Sequence, residues 1–165
     1  MFRSTLTRRV GSVVAAAVVA SLLSTGVAGA APAPTRFCSV LLGSEKDAAG
    51  QSVVLAEKCS TSRAIAAAVV PAASTKLMTW YADAGWKGTS ADIYGSAGTC
   101  DSEGYSYTPN YVWQLQMSSI KGYGNCNRVW LQDHGGSNGI YALPFSFGAT
   151  RYNDDVAWLN VYHQS

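Results

Sequence analysis

Past residue 30 the sequence has no cluster of lysine or arginine, no C-x-x-C pair and no H-E-x-x-H. It also has no apolar run approaching the ~20 residues that a membrane-crossing helix needs. Each gap removes a class of function. Nine Lys and Arg stand against ten Asp and Glu in that stretch, so the +2 balance of the whole chain belongs to its first thirty residues. Without a basic patch nothing neutralises phosphates, and neither nucleic acid nor an anionic membrane surface is an expected partner. His134 and His163 are the only histidines, and neither has a cysteine at metal-ligand spacing. No glycine-rich loop precedes a helix to cradle phosphate, and after Lys76 no segment sustains a 3.6-residue apolar period.

What is present begins with an export signal. Arg3, Arg8 and Arg9 precede an apolar run from Val13 to Leu23, and Ala28-Gly29-Ala30 supplies the small residues that signal peptidase accepts. We expect cleavage after Ala30 and a secreted, extracellular product. Val10-Gly11-Ser12 continues Arg8-Arg9 poorly as a twin-arginine signal, so the general secretory route is favoured. The remainder, residues 31–165, is the size of one domain and short for most enzyme folds.

All four cysteines, Cys38, Cys59, Cys100 and Cys126, lie in that remainder. An even count in an exported chain reads as two structural disulfides. Three pairings exist, and we expect Cys38 with Cys59 and Cys100 with Cys126, because each pair brackets one module.

Residues 31–76 read as an extension. Ala31 to Thr35 alternates Ala and Pro, Phe37 to Leu42 and Ser52 to Leu55 read as short strands, and Gly43 to Gly50 is turn-like. The alanine-rich stretch from Cys59 to Ala73, ended by Pro71, favours a short helix. From Lys76 the aromatics become dense, and Met78 to Tyr81, Ile140 to Leu143 and Trp158 to Tyr162 alternate with period two. Alternation bounded by Gly, Asn and Ser predicts half-buried antiparallel strands and an all-β fold.

Two units follow one another, Leu77 to about Tyr123 and Asn127 to His163. Each opens on an aromatic strand (Thr79-Trp80-Tyr81; Arg128-Val129-Trp130), bends at Gly-rich residues and closes on a strand. Tyr81-x4-Trp86-x-Gly88 resembles the aromatic-hairpin signature of the βγ-crystallin superfamily, especially its small secreted bacterial members, and Asn153-Asp154-Asp155-Val156-Ala157-Trp158 stands where that family places N/D-N/D-x-x-S/T-S. The second bend departs, with Ser137 where the signature wants an aromatic. The resemblance covers residues 77–163 and implies a double Greek-key sandwich.

In that family the acidic stretch supplies oxygen ligands to calcium. The second unit keeps Asn153 and Asp154 but has Ala157 in place of the ligand hydroxyl. The first keeps Ser118 but has Gln114 and Leu115 in place of the acidic pair. A weak calcium site from Asn153, Asp154 and Ser118 is the expectation the resemblance leaves; no other cofactor is expected.

Gly135-Gly136-Ser137-Asn138-Gly139 matches G-x-S-x-G, with Asp154 or Asp155 and then His163 downstream. A nucleophile elbow needs a helix after the turn, whereas Ile140-Tyr141-Ala142-Leu143 reads as a strand. We therefore expect no enzyme. The expectation is a non-catalytic binding or structural domain of the cell exterior, acting on an unknown protein or a cell-wall polymer. Its candidate surface is Tyr105, Tyr107, Tyr111 and Trp113, because aromatics give large contact area at low rotamer entropy. By resemblance to metalloproteinase-inhibitor-type relatives, inhibition of a secreted protease through the Cys100–Cys126 loop is the alternative.

Overall fold

A computed structural model describes residues 34–165. The leader, its cleavage point and the start of the Ala/Pro lead-in lie outside the described residues. Ten strands and two short helices follow in order: β1 (Phe37–Lys46), β2 (Ser52–Ser60), α1 (Arg63–Ala67), β3 (Thr75–Asp83), β4 (Lys87–Gly95), β5 (Tyr105–Tyr107), α2 (Tyr111–Gln114), β6 (Ser119–Gly122), β7 (Arg128–Gln132), β8 (Asn138–Ala142), β9 (Phe145–Ser146) and β10 (Trp158–Tyr162). No helix among the described residues is long and apolar enough to cross a membrane.

The strands form two sheets, β2-β1-β4-β3-β6-β9 and β5-β10-β7-β8. Each unit thus lends its third strand to the sheet built on the other: β5 pairs with β10, and β9 with β6. The two sheets share one core. Val40, Leu42, Trp80, Ile93 and Ile120 from the larger sheet cluster with Val129, Leu131, Leu159 and Val161 from the smaller. Trp80 reaches across to Tyr107, with ring centroids 5.6 Å apart. The alternation in the sequence causes this directly. With period two, one set of side chains per strand must share a face, and burying the apolar set drives the sheets together.

The N-terminal extension is part of the same structure. β1 runs parallel to β4 along its edge and antiparallel to β2. Cys38 and Cys59 face each other in that hairpin and are bonded, as are Cys100 and Cys126, with no free cysteine. The alanine-rich stretch holds a helix of only five residues, and the first two residues of that stretch, Cys59 and Ser60, belong to β2. Beside it Asp92 on β4 is buried and accepts from Arg63 Nη1 at 2.8 Å, Lys76 Nζ at 2.7 Å and Thr79 Oγ1 at 2.7 Å. One buried carboxylate thereby ties α1 and β3 to β4, and its charge is matched by two cations.

Candidate functional site

β7 and β10 are central neighbours in the smaller sheet, and their alternation sorts two faces. Val129, Leu131, Leu159 and Val161 are fully buried against the core. Arg128, Trp130, Gln132, Trp158, Asn160 and Tyr162 therefore occupy the outward face. Asn160 sits opposite Trp130, Tyr162 opposite Arg128, and Trp158 opposite Gln132. Trp130 and Trp158 are thus diagonal neighbours, and their rings meet edge to face with centroids 4.5 Å apart at 75°. They border a cavity of about 400 Å³ lined by Ser102, Trp130, Trp158, Asn160 and Tyr162.

The loop from Ser96 to Gly104 forms one wall, and it is pinned at several points. Cys100 is disulfide-bonded to Cys126, and His163 N donates to Asp101 O at 2.7 Å. Asp101 Oδ1 accepts from Glu103 N at 3.0 Å and Gly104 N at 2.8 Å. The Gly104 N–H in particular holds the Asp101 carboxyl below the usual carboxylate range. Lys46 Nζ donates to Gly104 O at 2.9 Å, and burial lowers its amine despite the attraction of Glu103 and Asp101. Asn160 Nδ2 donates to Glu103 O at 3.2 Å, which leaves its Oδ1 buried without a partner.

The aromatic run expected to form the binding surface is divided. Tyr105, Tyr107 and Trp113 are buried, and only Tyr111, 71 % exposed, reaches the surface. The register explains the correction. Tyr105 lies opposite Val161 and Tyr107 opposite Leu159, so both rings take the core side of β5. Trp113 turns inward from α2 and stacks on Trp80 at 5.7 Å. Burial raises the Tyr107 hydroxyl well above its ordinary pKa, with the nearby Glu57 charge adding to the shift. Tyr111 instead borders a second opening of about 400 Å³ beside the Cys38–Cys59 bond. The Cys100–Cys126 segment does not project as one loop, because it runs through β5, α2 and β6 and buries Tyr105, Trp113, Met117 and Ile120.

Asn153, Asp154 and Ser118 do come together. Asp154 Oδ1 accepts from Ser118 Oγ at 3.1 Å, and its Oδ2 accepts from Asn153 Nδ2 at 2.7 Å. The neighbouring carbonyls of Met117 and Ser118 accept from Asp154 N and Phe147 N. Calcium needs ~6–8 oxygens. Here one carboxylate is spent on its neighbours, and no group of three His, Cys, Asp or Glu side chains that could hold a metal occurs among the described residues.

Ser137, Asp154 and His163 are not assembled. Ser137 lies in the β7–β8 turn past Gln132, whereas His163 follows Tyr162, which pairs with Arg128 at the far end of β7. The turn leads into β8 rather than a helix, and Ser137 N donates to Asp133 Oδ1 at 2.7 Å as turn chemistry requires. Asp155 is held instead by His134. The imidazole Nδ1 and the His134 backbone N–H both contact its Oδ1, and Nε2 lies 2.9 Å from Gln114 Oε1.

The residues that line the outward cavity were missed as a site, although their signal was visible. In Arg128-Val129-Trp130-Leu131-Gln132 and Trp158-Leu159-Asn160-Val161-Tyr162 every aliphatic residue alternates with an aromatic or polar one. Two aromatic-bearing outward sets on strands of one unit predict a shared aromatic face once those strands pair. Compared with known proteins, the chain matches no protein-family model, no curated protein and no solved structure.

Proposed function

We propose that this chain is an exported, non-catalytic binding domain of the βγ-crystallin kind, and that it binds through the outward face of β7 and β10. The carrying observation is the partly buried Trp130–Trp158 pair beside the cavity lined by Ser102, Asn160 and Tyr162. Contiguous apolar surface marks interaction sites more often than scattered apolar residues do, and partly exposed indoles offer large contact area at low rotamer entropy.

The kinship has its own support. The exchange of third strands between sheets is what two paired Greek keys produce, and Trp86 and Gly88 in the aromatic hairpin both take positive φ, 65° and 77°. Two closed disulfides are typical of extracellular proteins and support export.

Co-sedimentation with purified cell walls and with polymers recovered from culture fluid tests the reading. The wild-type protein is expected to be retained by one of these fractions, and the Trp130→Ala/Trp158→Ala double variant to be released. Equal retention of both proteins overturns the assignment of this face. N-terminal sequencing of the exported protein is expected to begin at Ala31.

A further inference from the structure

The lining of the cavity on the smaller sheet is uncharged. No carboxylate, ammonium or guanidinium group lines it. Of the ionic groups on the adjoining elements, Asp101 is held by the backbone of Glu103 and Gly104, Lys46 by Gly104 O and Ser52 Oγ, and Arg128 by Gln164 Oε1 and Asn127 O, while Glu103 follows Ser102 outside the lining. An ion entering the cavity would shed water with no countercharge in the lining, whereas a neutral ligand avoids that cost.

A second observation points to the ligand's hydrogen-bonding groups. Asn160 uses its amide N–H on Glu103 O, and its Oδ1 is buried and unpartnered. Native folds leave few buried acceptors unsatisfied. A covered carbonyl oxygen in want of a donor therefore sits on a residue that borders the cavity, as does Ser102. Because Asn160 Oδ1 is covered, ligand entry requires a side-chain shift in the lining, of the kind common at binding surfaces.

The rings supply the third element. Trp130 and Trp158 stand at 75°, so the pair forms a corner rather than a parallel stack. Indole faces carry excess negative charge and attract polarised C–H bonds. A pyranose ring offers a face of such C–H bonds and a perimeter of hydroxyls, with no net charge.

We propose that this cavity is a subsite for a neutral saccharide ring, stacked on the Trp130–Trp158 corner, with Asn160 Oδ1 accepting from a sugar hydroxyl. The proposal rests on the reading of this face as the binding surface and adds the class of its ligand.

Isothermal titration of the disulfide-intact protein with cellohexaose, chitohexaose, xylohexaose and maltohexaose, and with tetramethylammonium chloride as a cationic probe, tests it. At least one of the four saccharides is expected to bind. Trp158→Ala and Asn160→Ala are each expected to weaken that binding about tenfold or more, the scale of one good contact. Trp86→Ala, in the β3–β4 turn against Lys121, is expected to leave it unchanged. Thermal melts of each variant establish that it is folded, and Trp158→Phe, which keeps a ring, is expected to retain part of the affinity.

Absence of binding by all four saccharides at millimolar concentration overturns the proposal. So does wild-type affinity in Trp158→Ala, or tetramethylammonium binding through the same tryptophans in place of every saccharide. If the double tryptophan variant loses wall retention while no saccharide binds, the face stands and the ligand class falls. If wall retention is unchanged, both fall.

Discussion

Gly104 holds the loop beside the outward face, and Asp155 holds the turn after β7. Gly104 takes φ 65°, and a Cβ there would collide with the Val161 carbonyl and with Tyr162. Neither neighbour can retreat, since Val161 is buried and paired in β10. Gly104→Ala is therefore expected to destabilise the protein by about 3 kcal/mol, adding left-handed strain to a backbone clash. Urea denaturation measures this, and a loss under ~1 kcal/mol would mean the loop relocates freely. Asp155 makes a different prediction. The hydrogen bond from His134 holds its carboxyl below the usual range. A carboxylate with a lowered folded pKa adds stability above its unfolded value, near 3.9, and loses it as pH falls through the folded value. Both side chains are about 40 % exposed, so the effect is small. Asp155→Asn is expected to be less stable than wild type at pH 7, with the difference closing near pH 2. A gap that persists in acid would assign it to packing instead.

At the scale of elements, the hairpin of β1 and β2 is the clearest case of partial legibility. Its apolar start, Phe37 to Leu42, was readable, as was its disulfide. Its length was not: β1 runs on to Lys46 through exposed polar residues, and β2 carries Val53, Val54 and Leu55 exposed in succession. Pairing with β1 decides that strand, so no alternation marks it. The four-residue helix α2 was invisible for a related reason. One turn shows no period, and its only local mark is Asn110, whose Oδ1 caps Trp113 N at 3.2 Å. The disulfide carries the element-scale prediction. Closing a loop of 21 residues limits the unfolded chain by roughly 3 kcal/mol. The Cys38→Ser/Cys59→Ser variant is expected to melt about 10 °C lower in a calorimetric scan. An unchanged melting temperature would show that the β1–β4 pairing alone holds the hairpin.

The two sheets of the whole molecule have one core between them, so neither is expected to unfold alone. Trp80 sits at the centre, fully buried, touching Tyr107 from the smaller sheet and Trp113 from α2. Trp80→Ala is expected to cost about 3–5 kcal/mol and to shift every probe together, far-ultraviolet and near-ultraviolet circular dichroism included. Separate transitions for the two signals would refute the shared core. The exchange of β5 and β9 is the physical cause of that cooperativity, because each sheet is incomplete without a strand from the other unit.

Alternation alone was sufficient to determine the all-β class, the principal strands and the inward side of β7 and β10, since a period of two leaves one apolar face that water expels. The even cysteine count determined that disulfides form, and the modules they bracket indicated the pairing. What the chain by itself left undecided is which aromatic rings stay outside. Trp130 and Trp158 alternate with aliphatic residues and so read as outward, whereas Tyr105 and Tyr107 carry no such mark. Their side is set by register: β5 meets β10 with its tyrosines beside Leu159 and Val161, on the opposite side of the sheet from the two tryptophans. Strand partners distant in sequence set that register, and so the position of the candidate site was decided by the tertiary fold.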